Sequence, residues 1–90
     1  MRIQPLHAAA AGGYVDIARL LVERGAPVSA PQQGGWTALH AAVRRGDVAL
    51  AQLLLQHGAD PKLQNEEGKS AIGLAAEEGK VEVLKLLKRS

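Results

Sequence analysis

The chain contains no cysteine and no phenylalanine, and one tryptophan (Trp36) and one tyrosine (Tyr14) make up its whole aromatic share of 2%. Without thiols there is no disulfide scaffold, no thiolate zinc site and no cysteine nucleophile. No apolar run approaches ~18 residues, the length a membrane-crossing helix needs, so membrane insertion is not expected. Met1-Arg2-Ile3 does not open a signal peptide, and an intracellular setting, cytoplasmic or nuclear, is expected. What is abundant is alanine and leucine, 16 and 13 of the 90 residues. Both favour helix, so the core has to be thin, aliphatic and helical. With 47% hydrophobic and 22% charged residues the composition is that of an ordered chain rather than a disordered one. Ninety residues allow one small domain at most, near the lower margin for a single compact core.

Charge of one sign is nowhere concentrated. The formal net charge is +2, but Lys and Arg alternate with Asp and Glu along the whole chain. Residues 1–36 carry three basic and two acidic groups, residues 37–69 four of each, and residues 70–90 four basic and three acidic. Phosphate binding needs a basic stripe, so nucleic acid is not an expected partner.

The sequence repeats. Shifted by 33 residues, positions 4–36 and 37–69 agree without a gap at 12 of 33 positions, among them Leu6/Leu39, His7/His40, Gly13/Gly46, Leu21/Leu54 and Gly25/Gly58. A shortened third copy, 70–90, keeps Ala71, Ala75, Gly79, Val81, Leu86 and Leu87 in register. The middle copy shows the unit best. Thr37 is suited to cap a helix that starts at Ala38, because its hydroxyl can take a free amide of the first turn. Gly46 ends that helix. A second helix is predicted from about Val48 to His57, with Val48, Leu50, Ala51, Leu54 and Leu55 on an apolar face that Leu53 widens. Gly58 ends it, and an extended turn-forming stretch with Pro61, Asn65 and Gly68 follows. In the first copy Pro5 takes the first helical position. Two short helices of this kind cannot bury their apolar faces alone, whereas stacked copies can, which is the physics of a solenoid.

The runs TALHAAVRRGDVALAQLLLQHGAD, QPLHAAAAGGYVDIARLLVERGAP and SAIGLAAEEGKVEVLKLLKRS resemble the ankyrin repeat, over residues 4–90. The resemblance implies an all-α solenoid of stacked helix-turn-helix units joined by extended β-hairpin loops. It divides residues 1–90, as one domain, into repeats 4–36 and 37–69 and a truncated, C-capping repeat 70–90. Ala38 and Ala71 stand where the family usually has Pro, Gly73 where it has His, and Pro27 where it has Asp before the first hairpin. Gly73 is expected to loosen its helix start.

Chemistry is hard to find. His7 and His40 recur one repeat apart, too far to share a metal at about 2 Å; the resemblance implies that this His braces its own helix start and the neighbouring hairpin. His57 suits a helix C-terminus, where positive charge is favoured. Glu66-Glu67 and Glu77-Glu78 are adjacent carboxylates without the differing environments that acid–base pairs need. Gly34-Gly35 is a turn without a following Gly-Lys-Ser/Thr, and no serine stands beside a credible base. The expectation is a non-enzyme without cofactor or metal.

The resemblance implies instead a surface that holds another protein or a peptide, on hairpin tips and the concave side of each first helix. Carried over position by position, it falls on Gln33, Gly34 and Trp36, on Arg44 and Arg45, on Glu66, Glu67, Lys69, Glu77 and Glu78, and in the first unit on Ile3, Ala11 and Gly12. Trp36 either anchors a partner or packs on its own hairpin and Pro31. Arg44 and Arg45 either hold a partner carboxylate or pair with Glu77 and Glu78 one repeat along. The alternative role is assembly, by end-to-end stacking. The column Val22, Leu55, Lys88 turns from apolar to charged, as a solubilising last repeat requires. The first unit has no matching polar change, so its outer face is expected to be adhesive and to support weak self-association.

Overall fold

The computed structural model describes residues 4–89. Among them are six α-helices: α1 (Pro5–Gly12), α2 (Val15–Glu23), α3 (Ala38–Arg45), α4 (Val48–Gln56), α5 (Ala71–Glu77) and α6 (Val81–Lys88). Each helix of a pair is too short to be stable alone in water, and packing supplies what length does not. Helix α1 packs on α3 and α3 on α5, forming one layer; α2 packs on α4 and α4 on α6, forming a second. Alanines Ala10, Ala18, Ala42, Ala51 and Ala75 have no exposure, and their small size lets the two layers approach. The leucines Leu39, Leu50, Leu54, Leu74 and Leu87 fill the space between them, each at most 2% exposed.

Local chemistry sets the helix ends. The Thr37 hydroxyl oxygen accepts from the His40 amide at 3.3 Å, and the Thr37 amide donates to His40 Nδ1 at 3.1 Å, so the start of α3 is closed from both sides. Asp47 caps α4 through the Leu50 amide and Ser70 caps α5 through the Gly73 amide. The α5 helix therefore starts at Ala71 although Gly73 replaces histidine. Gly46 closes α3 with φ +70°, a left-handed conformation that costs glycine nothing. His57 lies at the C-terminus of α4 as its sequence position implies, its Nδ1 3.0 Å from the Leu53 carbonyl oxygen.

The two loops between repeats, α2 to α3 and α4 to α5, turn back on themselves as hairpins, closed by Gln32 N–H to the Trp36 carbonyl at 2.7 Å and by Asn65 N–H to the Lys69 carbonyl at 2.9 Å. Extended backbone flanks the turns, and no strand ladder forms among the described residues. The hairpins lean on each other: Glu66 N–H donates to the Gly34 carbonyl at 2.8 Å. A side chain at Gly35 would stand 3.0 Å from the Asn65 backbone, so only glycine admits this approach. Asn65 holds the second turn, its Oδ1 accepting from the Glu67 and Lys69 amides.

The two ends of the stack differ. Leu50 and Leu53 of α4 are 0% and 2% exposed, while the residues one repeat earlier, Ile17 and Leu20 of α2, are 52% and 47% exposed. The reason is position in the stack: α2 lies over α4, and no described helix lies over α2. At the other end the column Val22, Leu55, Lys88 runs from buried to half-buried to exposed, and the exposed member is a charge.

Candidate functional site

The first-helix layer and the hairpins converge on a groove of about 320 Å³ between α1 and α3, lined by His7, Ala11, Trp36, Ala41, Arg44 and Arg45. Ala11 and Ala41 leave the groove open because they carry only methyl groups. Ala41 was not foreseen from the sequence; its signal was its place one repeat after Ala8 on the same helix face. A larger depression, about 670 Å³, lies between α4, the second hairpin and α6, with Leu55, Pro61 and Leu86 among its walls. Its charged lining residues are one of each sign, Asp60 and Lys62, both on the turn that follows α4.

Trp36 is half-buried. Its ring meets His40 edge-on, 5.5 Å between centroids at 72°, and the Arg44 guanidinium lies over it, 5.4 Å from the centroid. Both contacts lie on the helix that follows Trp36, and the indole edge also approaches Gly34. Arg44 reaches on to Glu78, Nε to Oε2 3.5 Å, as the pairing one repeat along requires. Arg45 does not pair with a glutamate. It folds back across Gly13, and its Nη1 donates to the Ala11 carbonyl at 3.3 Å, at the C-terminus of α1. Exposed carbonyls there attract a cation. Glu77 is taken instead by Lys69, 2.8 Å away. That bond and the Glu77 charge, with Glu67 and Glu78 adding, raise the Lys69 pKa above its ordinary range. The pairs Trp36–Arg44 and Lys69–Glu77 occupy equivalent positions in successive repeats, so one geometry serves a cation–π contact in one unit and an ion pair in the next.

The structure therefore brings Trp36, Arg44 and Arg45 together around one groove, and Lys69, Glu77 and Glu78 together beside it, with Glu67 within electrostatic reach. Gln33 and Glu66 lie exposed on the hairpins, and Gly12 and Ala11 at the end of α1. Ile3 lies outside the described residues.

The two recurring histidines differ. In His40, Nδ1 accepts from the Thr37 amide, so the proton of the neutral ring sits on Nε2, which donates to the Lys69 carbonyl at 2.8 Å. Burial lowers the His40 pKa, against a smaller upward effect of the Lys69 carbonyl. His7 does not form the brace that its position implies. Gln4 replaces threonine at its helix start, the Gln4 amide is taken by Gln32 Oε1 at 3.0 Å, and His7 Nδ1 is buried without a partner. Burial, and then the charge His40 would carry, lower the His7 pKa. Among the described residues no three His, Asp or Glu side chains gather as a metal site, and no helix is long and apolar enough to cross a membrane.

Paired helices in two layers, hairpins on one edge and a groove along the first helices define a stacked helical-repeat protein. Family models described as ankyrin repeats match residues 2–65 (three copies) and 45–87 (many copies). The chain belongs to the ankyrin repeat family. Ankyrin repeats generally mediate protein–protein interaction and are typically non-catalytic. Comparison with curated proteins gives no match.

Proposed function

We propose that this chain is a non-catalytic adaptor or scaffold module, with residues 1–90 acting as one binding unit. A protein or peptide partner lies across the hairpin tips and the first-helix face and touches Gln33, Trp36, Arg44, Arg45, Glu66, Glu67, Lys69, Glu77 and Glu78. The reading includes no cofactor and no nucleic acid, and its setting is the cytoplasm or nucleus. The observation that carries it is Trp36, a half-buried ring held between His40 and Arg44 beside an open groove. Pre-positioned aromatic and arginine side chains lose little freedom on binding and dominate interfaces. Affinity capture with the chain as bait tests it: Trp36→Ala with Arg44→Ala is expected to abolish capture while the melting temperature changes little. Capture that survives the double variant overturns this placement of the site.

A second reading, assembly, is favoured by one observation, the exposed Tyr14, Ile17 and Leu20 at the first-repeat end. The equivalents of Ile17 and Leu20 in the second repeat are covered by a neighbouring repeat, so the same surface suits a further repeat or a second copy. Light scattering from roughly micromolar to millimolar concentration, the range of weak association, is expected to show mass growth that Ile17→Lys removes. A constant monomer mass eliminates self-association.

A further inference from the structure

The concave surface changes sign along the stack, and its positive part is built to receive a negative group. Around the first groove stand two guanidiniums with unused donors. Arg44 is fixed from below by the Trp36 ring and touches Glu78 only through Nε, at 3.5 Å. Arg45 is fixed by one bond to the Ala11 carbonyl and by Gly13 beneath it. Arg44 thus keeps its two terminal nitrogens, and Arg45 the donors beyond its one bond, for a further acceptor, and the groove between them is floored by the Ala11 and Ala41 methyl groups. Both guanidiniums are exposed, so a charge-assisted bond made there draws its strength from two converging donors rather than from exclusion of water. One repeat further on the balance reverses: Glu67 and Glu78 add to the field at Lys69, whose ammonium is already bonded to Glu77. A long polyanion crossing both regions meets repulsion at the second. A single carboxylate does not.

Resting on the protein-binding reading above, we propose that the groove between α1 and α3 takes a glutamate or aspartate side chain from an extended partner segment. The carboxylate bonds to Arg44 and Arg45, an adjacent apolar or aromatic residue lies against Trp36, and a basic residue of the segment points towards Glu67 and Glu78. This charge order sets the direction in which the segment runs.

The probe is a displayed library of random linear peptides selected on the full chain. Binding of enriched peptides is then followed by the fluorescence of Trp36, the only tryptophan. Enriched peptides are expected to share an acidic residue next to an apolar one. Replacing that residue by its amide is expected to weaken binding tenfold or more, and the Arg44→Gln, Arg45→Gln double variant should lose the preference. The amide exchange is made in the peptide, so it stays decisive if the double variant folds poorly. Enriched peptides without an acidic residue, an amide exchange without effect, or an acidic preference that survives in a folded double variant overturns the proposal and leaves the protein-binding reading standing. No enrichment at all also overturns the proposal, and the protein-binding reading then stands or falls on the capture experiment above. A single-stranded oligonucleotide that binds more tightly than the enriched peptides overturns the proposal in favour of a nucleic-acid ligand.

Discussion

His40 Nε2 lies 2.8 Å from the Lys69 carbonyl oxygen, 29 residues further along the chain. One imidazole thereby ties the start of α3 to the hairpin that follows α4, and it sits edge-on against Trp36. His40→Ala leaves the Thr37 amide and the Lys69 carbonyl with one partner fewer each. A loss of about 3 kcal/mol is expected, the upper end of the cost of unpairing buried polar groups. His7→Ala, at the equivalent position without the brace, is expected to cost less than half as much. Urea denaturation of both variants checks this, and equal losses would show that the brace contributes nothing.

Acidification is expected to destabilise the fold. The folded-state pKa values of His7 and His40 lie below the ordinary value of 6.5, so the unfolded chain binds protons first. Stability from the neutral rings is complete above about pH 6.5 and is lost as the pH falls through the depressed folded values. Denaturation midpoints at descending pH are expected to drop in this window. The drop should shrink in a variant with both histidines replaced by asparagine, and an unchanged slope would assign it to other groups.

Leu20 and Leu53 are the same residue at the same place in successive repeats, yet one is 47% and the other 2% exposed. Leu53→Ala and the neighbouring Leu54→Ala are each expected to lower stability by about 2–5 kcal/mol, as for buried leucine truncation. Leu20→Ala is expected to cost under about 1 kcal/mol, as for a surface change. Similar losses for Leu20 and Leu53, by thermal or chemical unfolding, would mean that α2 is covered in solution.

Gly73 lies inside α5 with an ordinary backbone, and a methyl group there would stand 3.4 Å from the Ser70 hydroxyl. That is normal contact. Gly73→Ala is therefore expected to stabilise the chain by about 0.5–1 kcal/mol through lower unfolded-state entropy. A higher denaturant midpoint checks it, and a lower one would show that the close approach to Ser70 is strained.

Most of the architecture was readable because each repeat states it again. Thr37, Gly46 and Pro5 mark helix ends by local chemistry, and two copies in register cross-check every boundary. The difference between His7 and His40 was less visible, since it depends on what Gln4 does with its amide, a contact that spans 28 residues. The route taken by Arg45 was hidden for a similar reason. Sequence spacing offers two neighbouring glutamates, while geometry offers the closer carbonyls at the end of α1. Trp36 could be singled out as the only tryptophan, but whether it packed or projected depended on the side-chain geometry of His40 and Arg44, four and eight residues further along the chain, which the linear order does not display.

The groove at Trp36 is shared between two repeats, with His7 and Ala11 on α1 and the remainder on Trp36 and α3. In a linear array each unit is held by its neighbours, and the first unit here has a described neighbour on one side only. The third unit is placed likewise, so amide exchange should be faster in α1, α2, α5 and α6 than in α3 and α4, which have described neighbours on both sides. When α1 peels away, half of the groove goes with it. Any ligand that bridges α1 and α3 must then act as a clasp: occupancy and docking of the first unit become one equilibrium, and each is strengthened by the other.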